Sequence, residues 1–324
     1  MSVYLLRRLI QAALVMLAMS VIVFIGVYAI GDPVEILISP DADQAERVRA
    51  IAALGLDKPL WEQYFSFLGN ALRGDLGRSF VFNEPALQLI AQRAPATLEL
   101  AFGATFLAVL VGLPLGLYAG LRPNGVGAKT IMAGSILGFS LPTFWVGLML
   151  IMVFAVQLGW LPSTGRGETV EILGMRWSFL TRDGLAHMAM PALNLALFKI
   201  SLVIRLTRAG VRETMLMDFV KFARAKGLSP RRVIGVHVFK NILIPVVTVV
   251  GLELGSTIAF SVVTESVFAW PGMGKLIIDS INVLDRPVIV AYLMSIVLMF
   301  IIINLVVDLL YSVLDPRVRL ESKG

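Results

Sequence analysis

The chain has 324 residues, of which 57% are hydrophobic and 15% charged, and it contains no cysteine. Soluble domains typically carry about 25% charged residues, so this composition argues against a water-soluble protein. The absence of cysteine excludes a disulfide framework, a thiol nucleophile and a thiolate metal site. The net charge of +6 would by itself be compatible with nucleic acid or acidic lipid as a partner.

The apolar residues are gathered into long runs rather than dispersed. A membrane-spanning helix needs about 20 mainly apolar residues, and four uncharged runs reach that length, while two more carry one or two charges each. The predicted spans are 9–30, 100–121, 131–160, 187–204, 242–269 and 288–307. We therefore predict an all-α integral membrane protein with six transmembrane helices, the first apolar run being retained as a span rather than removed as a signal peptide.

The basic residues indicate the orientation of these spans. With the N-terminus in the cytoplasm, the inner segments hold 16 of the 28 Lys and Arg residues, nine of them between residues 205 and 240. An excess of Lys and Arg marks cytoplasmic loops. We therefore expect both termini in the cytoplasm, and we interpret the positive charge as a topology signal rather than a nucleic-acid surface.

The outer segment after the first span contains an amphipathic pattern. Pro59 suits the first turn of a helix, and the apolar residues that follow it fall on one helical face. These residues are Leu60, Trp61, Tyr64, Phe65, Leu68 and Leu72. The pattern is typical of a helix that lies on the bilayer surface.

Prolines and glycines occur at several positions within the predicted spans. Prolines that begin or interrupt spans remove backbone hydrogen bonds; they are Pro114, Pro142, Pro191 and Pro245. Gly112 and Gly116 form a Gly-x-x-x-Gly pair, which predicts close helix packing.

Two charged residues are predicted deep in the membrane, Lys199 in the fourth span and Glu253 in the fifth. Such a charge costs roughly 2.5 to 3.5 kcal/mol unless it meets a partner or water. Two interpretations are open: they pair with each other or with another subunit, or they line a translocation path. Glu99, Glu265 and Asp308 lie nearer span ends, where we expect them to reach interfacial water.

The long inner loop predicts two helices separated by a sharp corner. Residues 215–226 suit a helix, and Gly227 follows as a helix-stopping glycine. Ser229 and Pro230 then favour the start of a second helix. Phe219, Phe222 and Ala223 form a small apolar stripe, compatible either with the membrane surface or with the groove of a partner.

Several motifs resemble one family of membrane proteins. The inner-loop run Ala223-Arg224-Ala225-Lys226-Gly227-Leu228-Ser229 is similar to that of permeases of bacterial binding-protein-dependent ABC importers, in the dipeptide, oligopeptide and nickel group. The segments 54–79, 140–145, 159–163 and 267–274 resemble the same group. Of the general loop pattern of the superfamily, only Ala223 and Gly227 match, and Lys221 stands where Glu is usual, so the usual salt bridge through that Glu is not expected.

The resemblance implies a type I ABC importer permease that moves short peptides by alternating access, with nickel or another small solute as the alternative cargo. It implies as partners a second homologous permease, two cytoplasmic ATP-binding subunits or domains, an extracytoplasmic solute-binding protein and membrane lipid, at the bacterial inner membrane. It also implies that the loop docks in a cleft of the ATPase through Asp218, Phe219, Phe222, Ala223, Arg224, Ala225, Lys226, Gly227 and Ser229.

The chain carries no recognisable catalytic motif. It lacks the Gly-x4-Gly-Lys-Ser/Thr phosphate loop, so ATP and Mg are expected on the partner subunits, with no cofactor in this chain. It also lacks a Gly-x-Ser-x-Gly elbow and a His-Glu-x-x-His motif, and its two histidines are placed on opposite sides of the membrane, so an intramembrane hydrolase is disfavoured. A secondary transporter is also disfavoured, because no internal repeat is evident.

The domain organisation follows from these elements. We expect a first span with an outer segment over 1–96, a five-helix core over 97–312 that contains the coupling loop 206–240, and a cytoplasmic tail over 313–324.

Overall fold

The computed structural model describes residues 2–29, 44–53 and 57–314, which are mostly helical. The predicted tail lies outside the described residues from position 315 onward, and so do positions 30–43 and 54–56 of the predicted outer segment. The helices are α1 (Ser2–Ala29), α2 (Gln44–Ala53), α3 (Leu60–Leu72), α4 (Ala86–Leu121), α5 (Val126–Ser140), α6 (Thr143–Gln157), α7 (Arg182–Leu216), α8 (Asp218–Ala225), α9 (Pro230–Phe260), α10 (Val262–Val267), α11 (Met273–Asn282) and α12 (Arg286–Leu314). Helix α6 ends with a π-helical segment, Ile151–Gln157, and helix α9 contains another after its first three residues, Val233–Val238.

The apolar helices confirm the predicted membrane class. Within the described residues, five helices are long and apolar enough to cross a bilayer: α1, α4, α7, α9 and α12. The number becomes six if α5 and α6 together count as one span.

The predicted third span, 131–160, is not a continuous helix. Helices α5 and α6 meet at an angle of 104°. Leu141, between them, has the extended conformation (φ −80°, ψ 135°) that a residue preceding proline favours, and Pro142 then leads into α6. Apolar composition alone hides this break, because the residues on both sides of it are hydrophobic.

The chain divides into two compact units, the first formed by Met1–Ala94 and Gly272–Ile301. In this unit α3 contacts α1: the Tyr64 and Phe67 rings lie 5.3 and 6.0 Å from the ring of Phe24. The amphipathic helix therefore begins at Leu60 as predicted, but Tyr64 packs inward. Its exposed apolar residues are Leu60, Trp61, Phe65 and Leu72.

The second unit comprises Pro95–Pro271 and Ile302–Gly324. Here α4 packs closely on α7 along a glycine seam, which we define as Gly112, Gly116 and Gly120. A Cβ atom at these positions would lie 2.6 to 2.7 Å from the Cβ atoms of three α7 residues, Val203, Thr207 and Val211. The close packing predicted from Gly112 and Gly116 is confirmed, and it extends one further turn.

The second unit also contains a small β-hairpin, which the all-α prediction did not include. Strands β1 (Val170–Ile172) and β2 (Met175–Trp177) pair antiparallel, with Ile172 opposite Met175. The connecting residues Leu173 and Gly174 both have positive φ, +54° and +74°, as a tight two-residue hairpin turn requires.

Candidate coupling surface and intramembrane polar groups

The inner loop begins with a corner between α7 and α8. Helix α7 extends to Leu216, well past the predicted end of the fourth span, and Met217 then adopts an extended conformation (φ −68°, ψ 147°). Its N–H donates to the carbonyl oxygen of Thr214 at 3.1 Å, and its own carbonyl accepts from Val220. The predicted helix 215–226 is thus divided, because its first two residues complete α7 and α8 begins at Asp218.

Gly227 ends α8 as the sequence predicts. Its φ of +77° lies in the left-handed region, which glycine adopts without strain. The N–H of Leu228 donates to the carbonyl of Ala223 at 3.2 Å, and the N–H of Gly227 to that of Arg224 at 2.9 Å. These two bonds form a Schellman motif, which satisfies carbonyl groups that the helix end would leave unpaired.

The two faces of α8 differ in burial. Val220 (0% exposed) and Ala223 (4%) pack into an apolar cluster with residues of α7 and α9, including Val211 and Ile242. Phe219 and Phe222 are 41% and 61% exposed. The predicted stripe of Phe219, Phe222 and Ala223 is therefore wrong in one respect: Ala223 belongs to the buried face, and the two phenylalanines are presented outward without it.

Charged side chains surround the exposed phenylalanines. Lys221 Nζ lies 2.9 Å from Asp218 Oδ1, and Lys226 Nζ lies 4.5 Å from the centre of the Phe222 ring. The hydrogen bond from Lys221, together with its positive charge, lowers the pKa of Asp218 below its ordinary value. Arg224 and Ala225 are also exposed. We call the exposed residues Phe219, Lys221, Phe222 and Lys226 the α8 surface.

Helix α9 begins directly after the glycine corner. Pro230 is its first residue and Ser229 its N-cap, as predicted, but the Ser229 hydroxyl makes no capping hydrogen bond. The backbone carbonyl of Ser229 instead accepts from the N–H groups of Arg232 and Val233. With Val233 and Val238 buried against α8, the corner is fixed by packing on one side and by backbone bonds on the other.

Lys199 joins three helices within the second unit. It is 6% exposed, and its Nζ donates to Thr105 Oγ1 of α4 and to the backbone carbonyl of Glu253 in α9, each at 3.1 Å. The Glu253 carboxylate makes no hydrogen bond or ion pair with the part of the chain that the structure describes. The two residues meet, as one interpretation expected, but through a carbonyl rather than a carboxylate. A cavity of about 10 Å³ beside them is too small for a solute.

Glu99 and Glu265 are buried instead of reaching water, so the expectation for these residues is wrong. Glu99 Oε2 accepts from Arg166 Nε at 3.0 Å and from Ser178 Oγ at 2.8 Å. Glu265 Oε1 accepts from Thr97 Oγ1 and Ser261 Oγ at 2.7 and 2.8 Å.

No sequence signal indicated the Glu99–Arg166 pair, because its members are 67 positions apart and each alone resembles an ordinary interfacial charge. For the hydrogen bonds around Glu265, the one local sign in the sequence was the spacing of Ser261 and Glu265, which are four positions apart and so fall on one helical face.

Comparison with known proteins identifies the family. Residues 112–320 match the model of the binding-protein-dependent transport system inner membrane component, and residues 1–101 match the model of the N-terminal part of such membrane components. The di/tripeptide transport system permease protein DppB of Pseudomonas aeruginosa is 39% identical over 302 residues, covering 89% of this chain and 90% of that protein. The oligopeptide transport system permease protein AppB of Bacillus subtilis is 37% identical over 321 residues, covering 98% of this chain and all of that protein.

A solved structure shows the same fold. An inward-facing structure of the MetNI methionine ABC transporter aligns with a TM-score of 0.52 at 17% identity, covering 70% of this chain and 97% of the matched chain. The predicted membrane class, the ABC permease fold and the two family models agree, with five or six candidate spans among the described residues. The chain belongs to the binding-protein-dependent transport system inner membrane components, the permease subunits of ABC importers.

Proposed function

We propose that the chain imports short peptides by alternating access, and that the α8 surface couples this movement to ATP hydrolysis in partner subunits. Membership of the family implies an ATPase and a solute-binding protein as partners. Peptide cargo is supported by the two permeases at 37% and 39% identity, whose names specify oligopeptides and di/tripeptides.

One observation supports the coupling role: one face of α8 is packed against neighbouring helices, and the opposite face leaves two aromatic side chains exposed. Its buried residues, Val220 and Ala223, fix it to α7 and α9, while Phe219 and Phe222 remain exposed on a basic surface. Exposed aromatic side chains of this kind act as anchors in protein interfaces. A helix seated in an ATPase cleft by these rings would transmit the movement of the ATPase directly to the spans.

The full assembly comprises this chain, a second homologous permease, two ATP-binding subunits and an extracytoplasmic solute-binding protein. ATP and Mg are held by the ATP-binding subunits, and this chain supplies no cofactor site. Both termini and the α8 surface face the cytoplasm, which the distribution of Lys and Arg supports. The β-hairpin then lies on the outer side, one span before α8.

Reconstitution tests the peptide cargo. Proteoliposomes that contain the complete complex, supplied with ATP inside and with the binding protein and radiolabelled dialanine outside, should accumulate the label. Accumulation should stop when ATP is replaced by a non-hydrolysable analogue. A complex that hydrolyses ATP but accumulates no peptide, while accumulating nickel or another small solute, would refute peptide cargo and leave the coupling role intact.

A further inference from the structure

Among the residues that the structure describes, none forms a hydrogen bond with the guanidinium group of Arg205. Arg205 is half-buried and follows directly after the apolar run 187–204 of α7. No hydrogen bond or ion pair joins it to any residue between positions 57 and 314 or in the described parts of α1 and α2. It lies instead beside an aromatic ring, with its Cζ atom 4.5 Å from the centre of the Phe139 ring. The N–H donors of this planar fork are therefore available.

Two aromatic rings accompany this cation. Phe139 and Phe198 are stacked, with their centres 4.8 Å apart and an interplanar angle of 26°. They are 43% and 38% exposed. Phe198 and Arg205 are seven positions apart on α7 and so lie on the same helical face. We call Phe139, Phe198 and Arg205 the Arg205 cluster.

The cluster lies next to the broken helix pair, where two predicted spans meet: Phe139 is in the third, Phe198 in the fourth, and Arg205 directly follows the fourth. Phe139 is near the C-terminal end of α5, about 20 Å along the helix from its first residue at 1.5 Å per residue. The break at Leu141 and Pro142 follows two positions later. The Arg205 guanidinium, at the first position after the predicted fourth span, is thus held against a ring that belongs to the predicted third span. Charged groups on a membrane-spanning helix such as α7 face the interior of the assembly or a water-filled cavity, not lipid chains.

A carboxylate is the chemical group that best fits the available N–H donors of Arg205. Guanidinium groups bind carboxylates through two parallel hydrogen bonds, a geometry that lysine does not provide. The neighbouring rings offer an apolar surface that tolerates side chains of different shape. A short peptide presents both features, because it always ends in a carboxylate while its side chains vary.

We propose that the Arg205 cluster is a binding site on the translocation path, where Arg205 holds the carboxylate of the passing solute and Phe139 and Phe198 contact its apolar part. This inference rests on the proposed import of peptides. It assigns recognition of the constant end of the substrate to the permease itself, at a position distinct from Lys199, whose Nζ is already bonded to Thr105 and Glu253.

Charge variants of Arg205 test the proposal in the complete complex reconstituted in vesicles. Arg205→Gln should lower the uptake rate of radiolabelled dialanine at saturating binding protein by about tenfold or more, the loss expected for one charge-assisted hydrogen bond. ATP hydrolysis stimulated by the loaded binding protein should stay within about twofold, because an interaction with solute alone leaves coupling intact. Arg205→Lys should give an intermediate rate.

Arg212→Gln is the matched control. Arg212 lies two further turns along the same face of α7 and is exposed. Its removal should change uptake by less than about twofold, as for other exposed charges. If Arg205→Gln disrupts assembly, Arg205→Lys decides the question, since a residue needed only for topology or lipid contact would function equally well as lysine.

Two results with the variants would overturn the inference while leaving peptide import established: uptake by Arg205→Gln within about twofold of the unaltered complex, or full uptake by Arg205→Lys. A third arm uses vesicles of phosphatidylcholine alone. If the unaltered complex then falls to the rate of Arg205→Gln, the partner of Arg205 is an anionic lipid headgroup and the proposal is wrong. Failure of the unaltered complex to import any peptide would instead refute the proposed function.

Discussion

At the scale of single residues, buried polar groups distinguish this chain from a simple bundle of apolar helices. Glu99 has 4% and Glu265 0% of its surface exposed, yet hydrogen bonds reach both carboxylates from other parts of the chain. Lys199 is satisfied by a hydroxyl and a carbonyl. In contrast, the guanidinium of Arg205 lies beside the Phe139 ring and makes no hydrogen bond with the described part of the chain. Charged groups that are hydrogen-bonded within the chain hold the helices in one packing arrangement. A charged group without such bonds is available to a ligand.

The Glu99–Arg166 pair gives a prediction about stability. Glu99→Gln should lower the free energy of unfolding by about 3 to 5 kcal/mol, because it leaves Arg166, whose side chain is only 10% exposed, without a counter-charge. The measurement is the thermal unfolding of the purified chain in detergent. Glu171→Gln, on the exposed β1 strand, is the control and should change stability little.

The double variant Glu99→Gln with Arg166→Met separates the two causes. If the cost arises from an unpaired buried charge, the double variant should be more stable than Glu99→Gln alone. Equal losses in both would contradict this explanation and point to the hydrogen bonds with Ser178 instead.

At the scale of elements, hydropathy predicts which segments cross the membrane but not where their helices end. Helix α7 continues to Leu216, although its apolar run ends at position 204, because basic residues such as Arg208 and Arg212 interrupt hydropathy without interrupting the helix. The fifth predicted span, 242–269, ends earlier as a helix, at Phe260.

The local signals of the inner loop were more reliable. Gly227 and Pro230 place the end of α8 and the start of α9 at the predicted residues. Their conformations depend on neighbours in sequence and on steric limits of the backbone, which the sequence states directly. The burial of Ala223 and the contact of Arg205 with Phe139 depend on helices distant in sequence, and no local pattern specifies them.

The glycine corner gives a prediction about coupling. Gly227→Val forces a β-branched residue into φ +77°, although nothing lies within 4 Å of a Cβ there, so the cost is conformational rather than steric. We expect insertion into the membrane to be retained while peptide uptake per ATP hydrolysed falls severalfold. Uptake and phosphate release are measured together in reconstituted vesicles.

Gly227→Asn is the matched control, because asparagine tolerates the left-handed region better than other side chains. It should keep most of the coupled uptake. Unchanged coupling in Gly227→Val would show that the corner is not needed to transmit movement.

At the scale of the whole molecule, the family assignment and the distribution of charge together predict the arrangement across the membrane. The permease fold is shared with the MetNI transporter over 70% of this chain. The predicted division into residues 1–96, 97–312 and 313–324 stays a prediction. The first segment of the first compact unit ends at Ala94, close to the predicted boundary at residue 96, but this unit also includes a later segment, Gly272–Ile301.

The orientation can be tested with single cysteines, since the chain has none of its own to interfere. Leu173→Cys, at the tip of the hairpin where Leu173 is 97% exposed, should react with a membrane-impermeant maleimide in intact spheroplasts. Glu213→Cys, exposed near the end of α7, should react after permeabilisation only. The opposite pattern would invert the proposed topology and place both termini outside.

The glycine seam between α4 and α7 has a consequence for insertions and deletions. Its glycines recur every four positions, and so do Val203, Thr207 and Val211 opposite them. One added or deleted residue between Gly112 and Gly120 would rotate the rest of α4 by about 100°, the angle per residue of a helix with 3.6 residues per turn. Larger side chains would then face α7. In this part of the chain, length is therefore constrained more strictly than the identity of the residues between the glycines.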